Sequence, residues 1–218
     1  MSRRSTVLPL LLALAAPFAL AEAPQPDPCG EAFSKLAQAS RLSAPLRAHF
    51  RHALTAPALN QTEVEEGTVT LAPGGKMRWE YLQPEGKLAV ADGKTSYLYL
   101  PEDREVMVQK VVSGPGAPLL FRLLSGQVRL QEEARCEGMA LRGDRAVLTL
   151  ELLAPDAEVR RIEVMTEAAT GQVVQVRYKD GIGNEVSLTL SELERPQSVP
   201  ESTFSFRLPA GVRIVQGD

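Results

Sequence analysis

The chain has 218 residues, 44% hydrophobic, 23% charged and 5% aromatic, a length and mixture that fit one ordinary domain able to bury roughly 70% of its unfolded surface. Lys and Arg number 24 against 27 Asp and Glu, so no basic surface dominates to neutralise a phosphate backbone, and nucleic-acid binding is disfavoured. With two Cys and two His in all, a zinc site of N and S ligands would need every one of them, and a disulfide-rich scaffold is excluded.

The amino terminus reads as an export signal rather than as fold. Arg3 and Arg4 form a charged start, residues 7–20 are an uncharged Leu/Ala-rich run, and Ala19-Leu20-Ala21 or Ala21-Glu22-Ala23 offers small-residue cleavage. The run holds about 14 residues, interrupted by Pro9 and Pro17, and falls short of the roughly 20 that span a bilayer. The expectation is a cleaved signal over 1–21 and a single domain over 22–218. General secretory export is favoured over the twin-arginine route, because Thr6 and Val7 stand where that signal usually has Phe and Leu. Asp27-Pro28 before Cys29 does not make a lipid-attachment box. Cleavage removes two Arg and no acid, which takes the net charge from −3 to −5. In an oxidising compartment Cys29 and Cys136 are the natural disulfide pair. Their loop of about 107 residues would gain at most about 4.7 kcal/mol by chain entropy; two free buried thiols are the alternative.

In chain order, residues 31–42 predict a helix, with Phe33, Leu36, Ala37 and Ser40 on one face. The period then changes: Leu46, Ala48 and Phe50 alternate with Arg47, His49 and Arg51, a strand with one wet face. His49 falls on the wet side and His52 continues the Phe50 face. Strands follow at 63–72, 76–82, 87–91, 95–100, 105–112, 139–142, 146–153, 159–166, 172–179, 185–192 and 203–208, separated by turns such as Pro73-Gly74-Gly75, Asp92-Gly93, Gly143-Asp144 and Asp180-Gly181. Such short connections predict a single antiparallel meander, without the long crossovers a parallel pair requires. Residues 117–124 break the two-residue period and read as a short helix. Leu119, Leu120, Phe121, Leu123 and Leu124 are more apolar surface than one face buries against a sheet. That segment is either an ordinary core helix or a lid on the glycine-rich hinge before it.

A sheet of about eleven strands should curl or half close over something apolar. Alternation gives an inward set of Phe50, Val69, Leu71, Met77, Trp79, Tyr81, Leu88, Val90, Leu148, Leu150, Leu152, Ile162, Val164, Val174, Val176, Tyr178, Val186, Leu188 and Leu190. Periodicity does not separate a filled core from a cavity. Catalytic signatures are missing. Gly93-Lys94-Thr95 lacks the earlier glycine of a phosphate loop, having Leu88 there, and Asp180 to Asn184 carries too few acids for calcium. Both read as hairpin turns, and Glu132-Glu133 as loop. No HExxH or GxSxG is present, Asn60-Gln61-Thr62 is a formal sequon only, and no enzyme, metal or cofactor is expected.

Several strings then fall in one order: Leu46-x-Ala48-x-Phe50; Gly67-Thr68-Val69-x-Leu71-x-Pro73; Met77-Arg78-Trp79-Glu80-Tyr81-x-x-Pro84; Leu88-x-Val90-x-Asp92-Gly93-Lys94-x-x-Tyr97-x-Tyr99-x-Pro101; and Phe204-x-Phe206-x-x-Pro209-x-Gly211-Val212. This ordered set, spanning essentially the whole mature chain, resembles the LolA family of periplasmic outer-membrane lipoprotein carriers. The resemblance implies a mainly β fold with some helix, a curved antiparallel sheet forming an incomplete half barrel capped by short helices around an apolar cavity. It implies a periplasmic, monomeric chaperone that takes acylated lipoproteins from an inner-membrane lipoprotein-releasing ABC transporter and passes them to an outer-membrane receptor. By matched position, the lipid-binding wall would be Phe50, Met77, Trp79 and Tyr81, with Tyr97 or Tyr99 and the lid residues Leu119, Leu120, Leu123 and Leu124 behind them. One departure stands out: such carriers have an Arg before the Pro of the second string, implied to bond the lid shut, and here that residue is Ala72. Arg78 compensates, the switch works differently, or the chain is a divergent paralogue with another lipid cargo. A periplasmic lipid or lipoprotein sensor on the same fold, normally with a second domain, and a filled-core structural protein are the alternative readings.

Overall fold

The computed structural model describes residues 29–41, 44–111, 119–124, 126, 128–153 and 159–217; the expected signal segment and glycine hinge lie outside them. Helix α1 (Gly30–Ala39) is followed by strands β1 (Leu46–Ala56), β2 (Gln61–Ala72), β3 (Lys76–Gln83), β4 (Leu88–Asp92), β5 (Thr95–Leu100) and β6 (Glu105–Lys110). Two short helices, α2 (Leu119–Leu124) and α3 (Leu130–Glu133), lead to β7 (Ala134–Arg142), β8 (Arg145–Leu152), β9 (Arg161–Glu167), β10 (Val173–Lys179), β11 (Glu185–Glu194) and β12 (Arg213–Gln216).

All twelve strands form one open sheet in the order β12-β6-β5-β4-β3-β2-β1-β11-β10-β9-β8-β7. It is mainly antiparallel and does not close, as expected, but it is not one continuous meander. The chain runs outward from β1 to β6, crosses through α2 and α3 to the far edge at β7, and meanders back until β11 pairs with β1 from Arg47 to Thr55. Two further expectations need correction. Residues 203–208 are not a strand: a 3-10 turn occupies Glu201–Phe204, and the residues after it up to 209 pair with no strand. The twelfth strand lies later, at Arg213–Gln216, and pairs in parallel with β6. All of the chain from β6 to β12 lies between this parallel pair, and its last part, after β11, returns past β3 and β4 to that edge. Glu132 and Glu133 belong to α3, not to a loop.

Local chemistry explains the elements that were legible. Helix α1 carries Glu31 in its first turn, ion-paired to Lys35 at 2.9 Å, and buries Leu36, Ala37 and Ser40 on one side. The Asp92 carboxylate accepts hydrogen bonds from the Lys94 and Thr95 amides, each at 2.8 Å, which closes the β4–β5 hairpin. The Thr95 amide in particular holds the Asp92 pKa below the usual carboxylate range. Asp180 likewise accepts from the Ile182 and Asn184 amides in the β10–β11 turn.

Two contacts fasten α1 to the sheet. Gly171, with φ of +73° in the β9–β10 turn, presses so close to the helix that a Cβ there would sit 2.3 Å from the Lys35 carbonyl carbon; only glycine combines that φ with that approach. The disulfide Cys29–Cys136, with Cα atoms 6.1 Å apart, ties the helix start to β7. Around these anchors lies a filled core of Leu36, Ala37, Leu148, Leu150, Ile162, Val164 and Val176, over the β7–β10 half of the sheet. Because the disulfide closes a loop of 107 residues, Cys29→Ser/Cys136→Ser is expected to lower unfolding stability by about 2–5 kcal/mol in a urea titration. A change below about 0.5 kcal/mol would refute its structural role.

Candidate functional site: the concave apolar face

Strand register decides which side chains share the face on which α1 and α2 pack, called the concave face below. Phe50 lies opposite Gly67 on one side and Leu190 on the other; Val69 lies opposite Trp79, Leu71 opposite Met77 and Gly67 opposite Tyr81. Residues directly opposed across antiparallel strands point the same way. Phe50, Met77, Trp79 and Tyr81 therefore line one surface, with Leu46, Ala48, Val69, Leu71, Leu188 and Leu190 as its buried base.

Phe50 is the keystone of this surface. Its ring meets Trp79 edge-on at 4.8 Å and Tyr81 edge-on at 5.1 Å between centroids, the arrangement aromatic quadrupoles prefer. The ring lies over Gly67, where a Cβ would come within 2.9 Å of Phe50 Cε1 and 2.0 Å of the Glu80 carbonyl oxygen. Phe50 itself is 3% exposed, yet Met77, Trp79 and Tyr81 are only half-buried. Beyond them on the same face, Ala89, Leu98 and Met107 follow by register and are half-buried too. An apolar floor thus extends past the part that α1 covers.

Tyr97 and Tyr99 do not belong to it. Tyr97 opposes Val90 and Tyr99 opposes Leu88, while Arg78 opposes Val90 across β3. All five point to the convex side, which corrects the inward placement of Leu88 and Val90 as well as of the two tyrosines. The C-terminal segment covers them there: Phe206 stacks on Tyr97 at 5.1 Å, and Arg78 donates to the Thr203 carbonyl at 3.4 Å. Arg78 has its other bond to Glu80, and Ala72, opposite Lys76 and one step on from Leu71 opposite Met77, turns to that same side. Two grooves of about 500 and 750 Å³, lined by residues such as Arg47, His49 and Arg78 or Arg161, Arg177 and Lys179, also lie mainly on the convex side.

Helix α2 sits where the two halves of the concave face meet. Leu123 joins the core under α1 and Leu124 joins the cluster around Phe50. The side chains of Leu119 and Leu120 lie outside the described residues. Between the leucines is Arg122, 5% exposed and ion-paired with Glu133 of α3, whose other oxygen accepts from the Arg129 amide at 2.8 Å. Sequence reasoning passed over Arg122, although a single cation within Leu-Leu-Phe-Arg-Leu-Leu was a visible signal.

At the other end of the floor His52, which alternation already put on the Phe50 face, gains polar partners. His52, next but one to Phe50 on β1, opposes Glu65, and His52 Nδ1 lies 3.3 Å from Glu65 Oε2. Lys87 bonds the second Glu65 oxygen and stands 4.4 Å from the Tyr81 ring centroid. Burial first, and then the Glu65 charge, push the Tyr81 pKa up to about 12. Among the described residues no group of three or more His, Cys, Asp and Glu is placed to hold a metal ion, and no helix is long and apolar enough to cross a membrane.

Two expectations follow. Gly67→Ala should destabilise the fold by about 1–3 kcal/mol through overpacking and alter the emission of Trp79, the sole tryptophan; unchanged stability and emission would remove Phe50 from its central place. Tyr81, raised to about 12 when folded, keeps a proton that the unfolded chain releases near pH 10. Stability should therefore fall as pH rises between about 10 and 12, and Tyr81→Phe should flatten that part of the alkaline unfolding curve.

Comparison with known proteins places this geometry. The model of the family "Outer membrane lipoprotein carrier protein LolA" matches residues 42–207. The chain is 28% identical over 186 residues to an outer-membrane lipoprotein carrier protein of Dechloromonas aromatica, covering 78% of this chain and 80% of that one. A carrier of the same description from Methylobacillus flagellatus is also 28% identical, over 176 residues covering 78% and 82%. Among solved structures, an uncharacterized conserved protein of Thermus thermophilus superposes with a TM-score of 0.55 at 17% identity, over 86% of this chain and 98% of that one, a likeness of fold. With the family match running from just before β1 to just short of Leu208, and the sheet and concave face as described, the chain belongs to the LolA family of outer membrane lipoprotein carrier proteins.

Proposed function

We propose that the chain is exported by the signal over 1–21 and that the domain over 22–218 works in the periplasm as a monomeric, non-enzymatic carrier. It takes acylated lipoproteins from an inner-membrane lipoprotein-releasing ABC transporter and hands them to an outer-membrane receptor. The observation that carries this reading is the half-buried apolar floor of Met77, Trp79 and Tyr81 beside Phe50, continued by Leu98 and Met107. A floor of that kind suits alkyl chains. An acyl chain of about 15 methylenes costs about 12 kcal/mol to hold in water at about 0.8 each, so transit between membranes needs such a shelter.

Helix α2 acts in this reading as the cover. Leu123 and Leu124 give it apolar contact with both halves of the face, and the Arg122–Glu133 pair ties it to α3. A buried ion pair contributes little net stability relative to apolar packing, but it fixes position. A cover held in that way stays in register and still yields to an incoming chain.

The decisive experiment is lipoprotein release from inner-membrane vesicles, with native mass spectrometry of the recovered protein for acyl adducts. The wild type should release lipoprotein and carry the adduct, and Trp79→Glu should reduce both at least about ten-fold, since a charge on the floor opposes burial of alkyl chains. Wild-type protein that neither releases lipoprotein nor carries acyl chains would end the carrier reading. Full release by Trp79→Glu would end the assignment of this floor.

A further inference from the structure

The concave face is not uniformly apolar, and its polar end is ordered. Along β1 it presents Leu46, Ala48 and Phe50, then His52; along β2, running the other way, it presents Leu71, Val69 and Gly67, then Glu65. Alternation is kept and only the residue class changes. Lys87 reaches the same place from the far side of the β3–β4 turn, where its carbonyl accepts the Tyr81 amide at 3.1 Å. The side chains of Lys87, Glu65 and His52 are 17%, 25% and 31% exposed. Polar groups of this kind usually face solvent, and here His52 and Glu65 lie on the same face of the sheet as Phe50.

Each member has a distinct part. Glu65, acting as acceptor, receives hydrogen bonds from His52 Nδ1 on one oxygen and from Lys87 on the other, which holds the ammonium beside Tyr81. An ammonium has three donors, and Glu65 engages one of the three in this arrangement. With its pKa near 12, Tyr81 keeps its hydroxyl proton and remains a donor at neutral pH. The apolar floor thus ends at an ammonium held over the ring of a tyrosine, with a carboxylate bonded to that ammonium.

We infer that this cluster is the polar terminus of the lipid site, where the Lys87 ammonium and Tyr81 hydroxyl donate to the ester and amide carbonyls that join acyl chains to an acylated amino-terminal cysteine. The inference rests on the carrier reading above and adds to it a place and a direction: alkyl tails lie over Phe50, Trp79 and Met77, and the linkage sits at Lys87. Glu65 and His52 are positioning residues that act through Lys87. Recognition at this point distinguishes an acyl linkage from bare hydrocarbon, which the floor alone does not.

Trp79 provides the readout, because the only tryptophan of the chain lies on the same face. Full-length mature protein is titrated with two probes: a synthetic diacylglyceryl-cysteinyl peptide, and a long-chain alkane delivered from cyclodextrin. Losing one charge-assisted hydrogen bond should weaken peptide binding about ten-fold in Lys87→Met, and by a smaller factor in Glu65→Gln, with alkane binding within about two-fold of wild type in both. Equal losses for both probes would show that the charges only support the floor and would overturn the inference, as would unchanged binding of the peptide. Wild-type protein that binds neither probe fails before any variant is made, and that result overturns the carrier reading together with this one.

Discussion

Among the described residues the longest helix, α1, has ten residues and lies against a sheet of twelve strands. Helix α1 is about 15 Å long, whereas twelve strands at about 4.8 Å spacing run to about 53 Å along the sheet. The shortfall organises the molecule. Where α1 lies, held by Gly171 and by the Cys29–Cys136 disulfide, Leu148, Leu150 and Val164 are completely buried and the face is ordinary core. Where it does not reach, the same alternation of apolar side chains continues through Phe50, Met77 and Trp79, and those beyond Phe50 stay half-buried. Filled core and open floor are thus two ends of one sheet face, separated by the length of a helix.

The margins of that open floor carry the polar chemistry. On one side α2 brings Arg122 into the protein interior with Glu133; on the other, His52, Glu65 and Lys87 form a chain of contacts beside Tyr81. Groups this shielded are costly unless paired, and both sets are paired. The interior between them is aliphatic and aromatic, with Phe50 seated over Gly67 so that its ring can face Trp79 and Tyr81 together. Bulk at Gly67 would disturb both the β2–β3 pairing and the floor, which links sheet register directly to the shape of that apolar surface.

The convex side is also more than a wet surface. Residues after β11 return across β3 and β4, set Phe206 on Tyr97, and end as a parallel strand on β6. Val90 and Val106 are 2% and 0% exposed on that side, so β4 to β6 carry apolar side chains on both faces. The inward reading of Tyr97 and Tyr99 rests on matched position alone, whereas this double cover is why Leu88 and Val90 read as inward from alternation. Their period is two, as in any strand, but a strand covered on both faces offers no wet row to show which side is the concave one.

The amino-acid sequence by itself determined the local features: the helix face of α1, nearly every strand and turn, the pairing of the two cysteines in an oxidising setting, and Phe50, Met77, Trp79 and Tyr81 as one apolar group. These depend on side-chain period, turn residues and composition, which act over a few residues. Tertiary structure alone decided the seam between β1 and β11, the parallel β12, the outward turn of Tyr97 and Tyr99, and the meeting of His52, Glu65 and Lys87. Each depends on register between segments or on which face a distant segment covers. Such choices are settled by the shared burial of residues far apart in the chain, and no local pattern records them.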